Sequence, residues 1–439
     1  MQPAGNSAGS LFHSLQQRPQ AGALHAEKEL LARYRSDGLT PAVVAFPQTA
    51  EEVACLLSTA NEHRAPVLLW GGGTSMGLGN APREVALAID LTRLNRVLSH
   101  DIDNFTVTAQ AGMRLNDLRK VLHAQRQFLT LDPPASDVAT LGGIVAANAS
   151  GPWRLAFGSA RDLMLGLRIA LPDGNLVSFG GKTMKNVAGY DVGKLFIGSI
   201  GTLGAICELT FRLYSLPEKS YALLISASDC AEAFRVAREA ACWLPSALMA
   251  LDPAAAGLLS DKLSIARTKG AWLLAVDLMG DESAVNKQAN EIGKLASLAP
   301  APLEGEERQF CWEAIRDLIG PAGGATLLCR ANLPPSAVEE WSAAAEPTPG
   351  HLVACPGSGR AWKLLHAPTQ PTATDAVNQL RGEALRLGGH LIVEAAPAEW
   401  KSQLDIWGAP PTHFSLLQQL KQTFDPVGIL APGRFVGGI

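Results

Sequence analysis

Trp70-Gly71-Gly72-Gly73-Thr74-Ser75-Met76-Gly77-Leu78-Gly79 is the stretch on which the fold of this chain turns. Three adjacent glycines remove every Cβ from a run of backbone, so successive N–H groups can converge on one anion. Thr74 and Ser75 add two hydroxyl donors. The preceding residues give the loop its setting. Ala42 to Phe46 is a short apolar run stopped by Pro47 and reads as a buried strand. Thr49 then opens a helix: Glu52 follows three residues on, as in a capping box, and Val53, Leu56, Leu57 and Ala60 recur at helical spacing. Pro66 to Trp70 is a second strand. The order strand, helix, strand, loop puts the glycines at the carboxyl end of a strand, where open α/β sheets bind ligands. The loop lacks the G-x-x-x-x-G-K-[S/T] pattern of a P-loop. It also follows the second strand of its unit rather than the first, which argues against a Rossmann fingerprint.

Two further glycine segments lie downstream. Thr140-Leu141-Gly142-Gly143-Ile144-Val145-Ala146-Ala147-Asn148 suits a close approach of backbone to ligand, followed by a tightly packed helix whose N-terminus favours negative charge. It is preceded by the rigid turn Asp132-Pro133-Pro134-Ala135-Ser136. The third segment is Gly198-Ser199-Ile200-Gly201-Thr202-Leu203-Gly204-Ala205-Ile206. Such segments contribute little to core packing, and together they suit one long, flat, doubly phosphorylated ligand. Between them Leu163 to Ala170 and Leu176 to Phe179 flank Pro172-Asp173-Gly174-Asn175, a hairpin signal. From about residue 218 to 405 the texture becomes richer in alanine and leucine. Strand-like runs (Tyr221 to Ser226, Trp272 to Leu278, Thr326 to Arg330, Leu391 to Glu394) alternate with helical ones (Ala231 to Trp243, Ser283 to Leu298, Thr374 to Leu387). This predicts an antiparallel sheet with helices on one face. A last helix is read over Thr412 to Phe424.

The chain has 439 residues, enough for two or three domains. Lys and Arg number 37 against 41 Asp and Glu, a net charge of −4, which argues against a nucleic-acid partner. No apolar run is long enough to span a bilayer, and no secretory pattern is read near the start. Seven scattered cysteines form no C-x-x-C pair, so neither a zinc ribbon nor an iron–sulfur site is read. These features predict a cytoplasmic protein with no metal site of its own.

The motifs, in their order, resemble the FAD-binding domain of the vanillyl-alcohol oxidase superfamily, the PCMH-type fold. The resemblance rests on Pro47 to Val53 (P-x-[S/T]-x-x-E-V), Gly71 to Ser75 (G-G-G-T-S), Asp132-Pro133, Thr140 to Asn148, Gly198 to Gly204 and Phe424 to Gly433 (F-D-P-x-G-x-L-x-P-G), and covers about 30–217 and 412–439. It implies an α+β protein in four parts: a lead-in over 1–29, a two-subdomain PCMH-type FAD-binding domain over 30–217, an α+β cap over 218–405, and a segment over 406–439 that returns to the FAD domain. By the same resemblance Gly71, Gly72, Gly73, Thr74, Ser75, Thr140, Gly142, Gly143 and Asn148 would surround the FAD pyrophosphate. Pro133 and Ser136 would lie near the ribityl chain and isoalloxazine, and Gly201, Gly204 and Ile206 near the adenine. Within the superfamily, Gly151-Pro152-Trp153-Arg154, Lys185-Asn186-Val187-Ala188-Gly189-Tyr190-Asp191 and Pro432-Gly433-Arg434-Phe435 resemble the GlcE-type subunits of glycolate oxidase.

Two departures shape the functional expectation. The glycine loop has Thr74 where members with covalent flavin often carry histidine, so the FAD is expected to be non-covalent. The H-x-G-D-G-N-x-H metal motif and the later E-H pair of many hydroxyacid oxidases of this superfamily are both missing. His390, beside Gly388-Gly389, is a candidate substrate-site residue or an ordinary strand-start histidine, and Lys363 reads as packing; no catalytic constellation emerges. The expectation is a FAD flavoprotein subunit of a glycolate or other 2-hydroxyacid oxidase or dehydrogenase complex. Its implied partners are a second flavoprotein and an iron–sulfur subunit, and through that complex it would sit at the inner face of the cell membrane. Two alternatives stay open: a self-sufficient FAD oxidase of another alcohol or hydroxyacid, and a non-catalytic assembly subunit stabilised by FAD.

Overall fold

The apolar runs become three main sheets in the computed structural model, which describes residues 5–18, 20–181, 190–263, 270–297, 300–320, 327–366 and 369–439. In the first sheet Val43–Phe46, Leu87–Asp90 and Val67–Trp70 run parallel, with Ala23–His25 antiparallel at the edge. Helix Ala50–Glu62 connects two of the parallel strands and buries Val53, Leu56, Leu57 and Ala60 against Val43, Ala45, Leu87 and Ile89. Its cap is nearly the one read from the sequence. Thr49 Oγ1 accepts the Glu52 N–H at 3.1 Å, but Glu52 returns its carboxylate to the Gln48 N–H, at 2.7 Å, rather than to that of Thr49.

The second sheet is antiparallel: Val97–Asp101, Thr106–Gln110, Ala205–Arg212, Met164–Ala170 and Leu176–Gly180. Ala170 pairs with Leu176 across the expected hairpin, whose Gly174 has φ +85°. Helices Leu115–His123 and Leu141–Ala147 pack on it through Leu118, Leu122, Ile144 and Val145. Most of the GlcE-like segment from Lys185 to Gly189 lies outside the described residues.

The third sheet has eight strands, in the order Ala301–Leu303, Lys219–Ala227, Trp272–Gly280, Ala247–Leu251, Gly350–Cys355, Arg360–Leu365, Leu327–Asn332, His390–Ala395, and every pairing is antiparallel. The helices do not keep to one face, which corrects the reading from sequence. Cys230–Ala241, Glu282–Gly293, Val338–Ala345 and Gln370–Arg386 cover one side, around Phe234, Trp341 and Leu380. Pro253–Leu263 and Gly305–Leu318 cover part of the other, around Leu259, Trp312 and Ile315. The strands explain this. Leu223 and Ile225 point to the first layer and Ala222 and Leu224 to the second, so both faces are apolar and both need cover.

After helix Phe414–Phe424 the chain turns back to the first sheet. Buried Asp425 makes the turn: its carboxylate accepts the N–H groups of Gly428, Ile429 and Leu430 and the Lys421 ammonium. Leu430 then bridges Val67 in parallel, and the Val67 N–H donates to Ile429 O at 2.7 Å.

Candidate functional site

The strand Val67–Trp70 ends and the backbone enters the glycine loop. None of the N–H groups of Gly72, Gly73, Thr74 and Ser75 finds an acceptor among the described residues. These donors face a narrow cavity between the first two sheets, of about 90 Å³, whose lining includes Gly71, Gly72, Gly73, Thr74, Ser75, Thr140, Gly142, Gly143, Gly201, Gly204 and Ile206. The wall Gly73 to Ser75 is shared with a cleft of about 730 Å³ that also touches Pro133 and Asn148. The structure thus gathers nearly all the predicted positions around one continuous space. Ser136 is the exception. It is buried behind the wall, where its hydroxyl takes a long hydrogen bond, 3.4 Å, from Arg119.

Two physical reasons given from the sequence need correction. The N-terminus of helix Leu141–Ala147 is sealed rather than open. The Leu141 N–H donates to Met113 O, that of Gly142 to Ala111 O, and that of Gly143 to the capping Thr140 hydroxyl. The free donors therefore belong to the loop, not the helix. Gly72 is glycine because of the protein itself: a Cβ there would lie 2.0 Å from Val138 O. At Gly143, by contrast, a Cβ would meet only Thr140 Oγ1, at 3.1 Å, and would otherwise project into open space.

The far wall of the cleft is the third sheet. Arg330, His351, Arg360, Trp362 and Glu394 face it from neighbouring strands. Arg330 pairs with Glu394, Nε to Oε1 at 2.5 Å, and the other carboxylate oxygen accepts Trp362 Nε1–H at 3.1 Å. Arg360 is buried, and among the described residues its side chain donates only to the Ser150 hydroxyl, at 2.7 Å. Burial, then the nearby Arg330 and Arg154, push its pKa down to about 9. Arg154 comes from the segment that follows helix Leu141–Ala147, and its Nη1 is buried without an acceptor. Burial and Arg330 lower its pKa too. Of the two guanidiniums that line the cleft only Arg330 has a carboxylate bonded to it, and Arg360 is left without one among the described residues, a deficit of negative charge that an anion would fill.

The histidine in the cleft is His351, not His390. His351 is buried, and its Nε2 lies 3.1 Å from Leu318 O, so that nitrogen carries the proton and the partnerless Nδ1 is a free acceptor. Burial holds its pKa below the usual histidine value. His390 is exposed at its strand start and contacts Asn332 at 3.2 Å. Lys363 lies on the opposite face of the sheet, fully buried 3.7 Å from Asp252, as its reading as a packing residue expects. A charge inside an otherwise apolar strand, as in Leu327–Asn332 or His390–Ala395, was the one sequence signal for Arg330 and Glu394.

Comparison with known proteins gives these spaces a cofactor. Residues 41–180 match the model of an FAD binding domain, and residues 407–435 the C-terminal domain of FAD linked oxidases. A D-lactate dehydrogenase of Archaeoglobus fulgidus is 31% identical over 414 residues, covering 90% of this chain and 91% of that protein. The chain belongs to the FAD-linked oxidoreductases. The oxidoreductase is also 28% identical over 441 residues to glycolate oxidase subunit GlcD of Bacillus subtilis, covering 94% of this chain and 92% of the relative. That subunit is GlcD and not GlcE, so the resemblance stands at the level of the superfamily. In fold it matches p-cresol methylhydroxylase (TM-score 0.75, 15% identity, 99% of this chain and 97% of that one) and alkyldihydroxyacetonephosphate synthase (TM-score 0.73, 18% identity, 97% and 86%).

The residues present fit FAD. Four successive N–H groups without acceptors make a cradle for a pyrophosphate, and the space before Gly143 is one that a Cβ would fill. What the flavin supplies is two-electron acceptance. The chain supplies the rest: an anion cradle, a walled cleft, guanidiniums that can orient a carboxylate, and the imidazole of His351 in the cleft wall.

Proposed function

We propose that this oxidoreductase is a GlcE-like subunit that holds FAD non-covalently in a glycolate or related 2-hydroxyacid dehydrogenase complex. Its FAD domain would span 30–217 and its cap 218–405. The pyrophosphate would lie on Gly71 to Ser75, with Thr140, Gly142, Gly143 and Asn148 beside it, the flavin toward Pro133, and the adenine toward Gly201, Gly204 and Ile206. One observation carries the reading: the third sheet turns two guanidiniums, Arg330 and Arg360, with the single carboxylate of Glu394 toward the cleft that the glycine loop also lines. A small hydroxyacid would place its carboxylate on Arg360, with His351 on the same cleft wall. The GlcD and D-lactate dehydrogenase relatives support the substrate class. A second flavoprotein and an iron–sulfur subunit would reoxidise the flavin, and through them the protein would associate with the inner face of the membrane; among the described residues no helix is long and apolar enough to cross it. The missing metal motif favours a second reading, an assembly subunit that binds FAD without turnover.

The test is turnover of glycolate and D-lactate with an artificial acceptor, by the chain alone and co-expressed with those two subunits. Activity is expected only with the subunits, and Arg360→Met in the complex should raise KM about 100-fold. An unchanged KM in Arg360→Met would favour the assembly reading. A rate on the order of 10 per second by the chain alone would make it a self-sufficient oxidase. Acid precipitation should leave the flavin in the supernatant; flavin in the pellet would point to a bond at His351.

A further inference from the structure

The glycine loop is gripped from its carbonyl side by two buried cations that arrive from the far end of the sequence. Arg434 is 2% exposed. It donates to Leu78 O at 3.0 Å, to Met76 O, and to the Ser36 hydroxyl at 3.3 Å. Lys401, 6% exposed, donates to the intervening carbonyl, Gly77 O, at 2.6 Å, and pairs with Asp37 at 2.6 Å. Three consecutive loop carbonyls are therefore held by side chains from residues 401 and 434.

The charges in this cluster do not balance. Asp37 is the carboxylate that faces it, and Asp37 is engaged by Lys401. Among the described residues every hydrogen-bond acceptor of Arg434 is uncharged. A buried guanidinium without an ionic partner is expensive unless something else supplies the negative charge. Arg434 also lines the narrow cavity onto which the partnerless loop N–H groups open. Uncompensated charge and free donors thus meet in one place.

We infer that Arg434 is the fixed counter-charge of the FAD pyrophosphate, and that Lys401 and Asp37 set the net charge it works with. This rests on assigning the glycine loop to the pyrophosphate. Arg434 is then a positioning residue whose charge matters in addition to the hydrogen bonds by which it holds the Met76 and Leu78 carbonyls.

The experiment strips FAD from the full-length protein and measures rebinding by fluorescence quenching at two salt concentrations, with thermal midpoints of the apo-proteins alongside. Arg434→Met should raise the Kd for FAD about 100-fold and flatten its salt dependence, while Arg434→Lys should raise it no more than about tenfold. Lys401→Met leaves Asp37 to neutralise Arg434 and should also weaken FAD. Asp37→Asn should do the reverse and tighten FAD several-fold, even though it removes an ion pair. A loop brace without an electrostatic role would make Asp37→Asn and Lys401→Met weaken FAD alike, or Arg434→Lys and Arg434→Met lose it equally; either result overturns the inference. Should Arg434→Met not fold, the Asp37 and Lys401 pair still decides. Wild-type apo-protein that took up no FAD would instead overturn the loop assignment itself.

Discussion

Gly72 is glycine for want of room within the protein, whereas Gly143 borders open space that the proposed FAD would take. Gly72 needs its room for Val138 O, at 2.0 Å from a would-be Cβ. Gly143→Ala would touch only Thr140 Oγ1. Gly72→Ala should therefore cost about 1–3 kcal/mol of stability. Gly143→Ala should leave the apo-protein as stable or more so, since alanine favours a helix by up to about 1 kcal/mol, yet weaken FAD about tenfold. Urea midpoints and FAD titrations of the two variants check the contrast. Asp132 offers a pH test. It is fully buried where the first domain meets the third sheet, and accepts the N–H groups of Gly151 and Trp153. Burial raises its pKa to about 7 in spite of the opposing pull of Arg316 and Arg119. Its unfolded value is about 3.9, so between roughly pH 4 and 7 the folded state binds more protons and this residue's contribution to stability rises as pH falls. Asp132→Asn should flatten that slope, read as the change in urea midpoint between pH 7.5 and 5.

At the scale of elements, the segment after helix Leu141–Ala147 ties the helix layer of the second sheet to the third sheet. Trp153 Nε1 donates to Asp277 Oδ2 at 2.9 Å, and Arg308 binds both oxygens of the same carboxylate at 2.7 Å. Asp277 is fully buried, so Asp277→Ala should cost about 3–5 kcal/mol by stranding Arg308; a urea transition that splits in two would show the cap loosening first. The GlcE-like Gly151 to Arg154 segment thus belongs to this seam. It was visible in the sequence as a pattern, but its task was not. Where backbone conformation selects residue type, as in the glycine segments, the Pro172 to Asn175 hairpin and the Asp425 turn, the elements were legible. In the cap, Ala247–Leu251 is buried throughout and does not alternate, and helix Pro253–Leu263 follows in the same alanine–leucine texture, so neither stood out. The cofactor half of the site could be read because it is made of local motifs. The cap half could not, since Arg330, Arg360 and Glu394 meet only through a strand order that the sequence does not announce. His351 and His390 differ by which of them the register turns into the cleft.

For the whole molecule, the two stretches that match FAD-linked oxidase models, 41–180 and 407–435, meet in space while the eight-stranded sheet lies between them in sequence. Arg434 reaches Leu78 across 356 residues, and Asn80 bonds the carbonyls of Gly433 and Phe435. On the ribosome, at roughly 5–20 residues per second, the glycine loop would wait on the order of 20–70 s for the segment that grips it. During that wait the eight-stranded cap sheet has time to fold, and the loop has none of its late contacts. Flavin loading would then wait for the segment that carries Arg434. A nascent chain stalled with residues up to about 400 exposed should retain no FAD, while one with Arg434 also exposed should acquire it, so cofactor content would report that the segment gripping the loop had emerged.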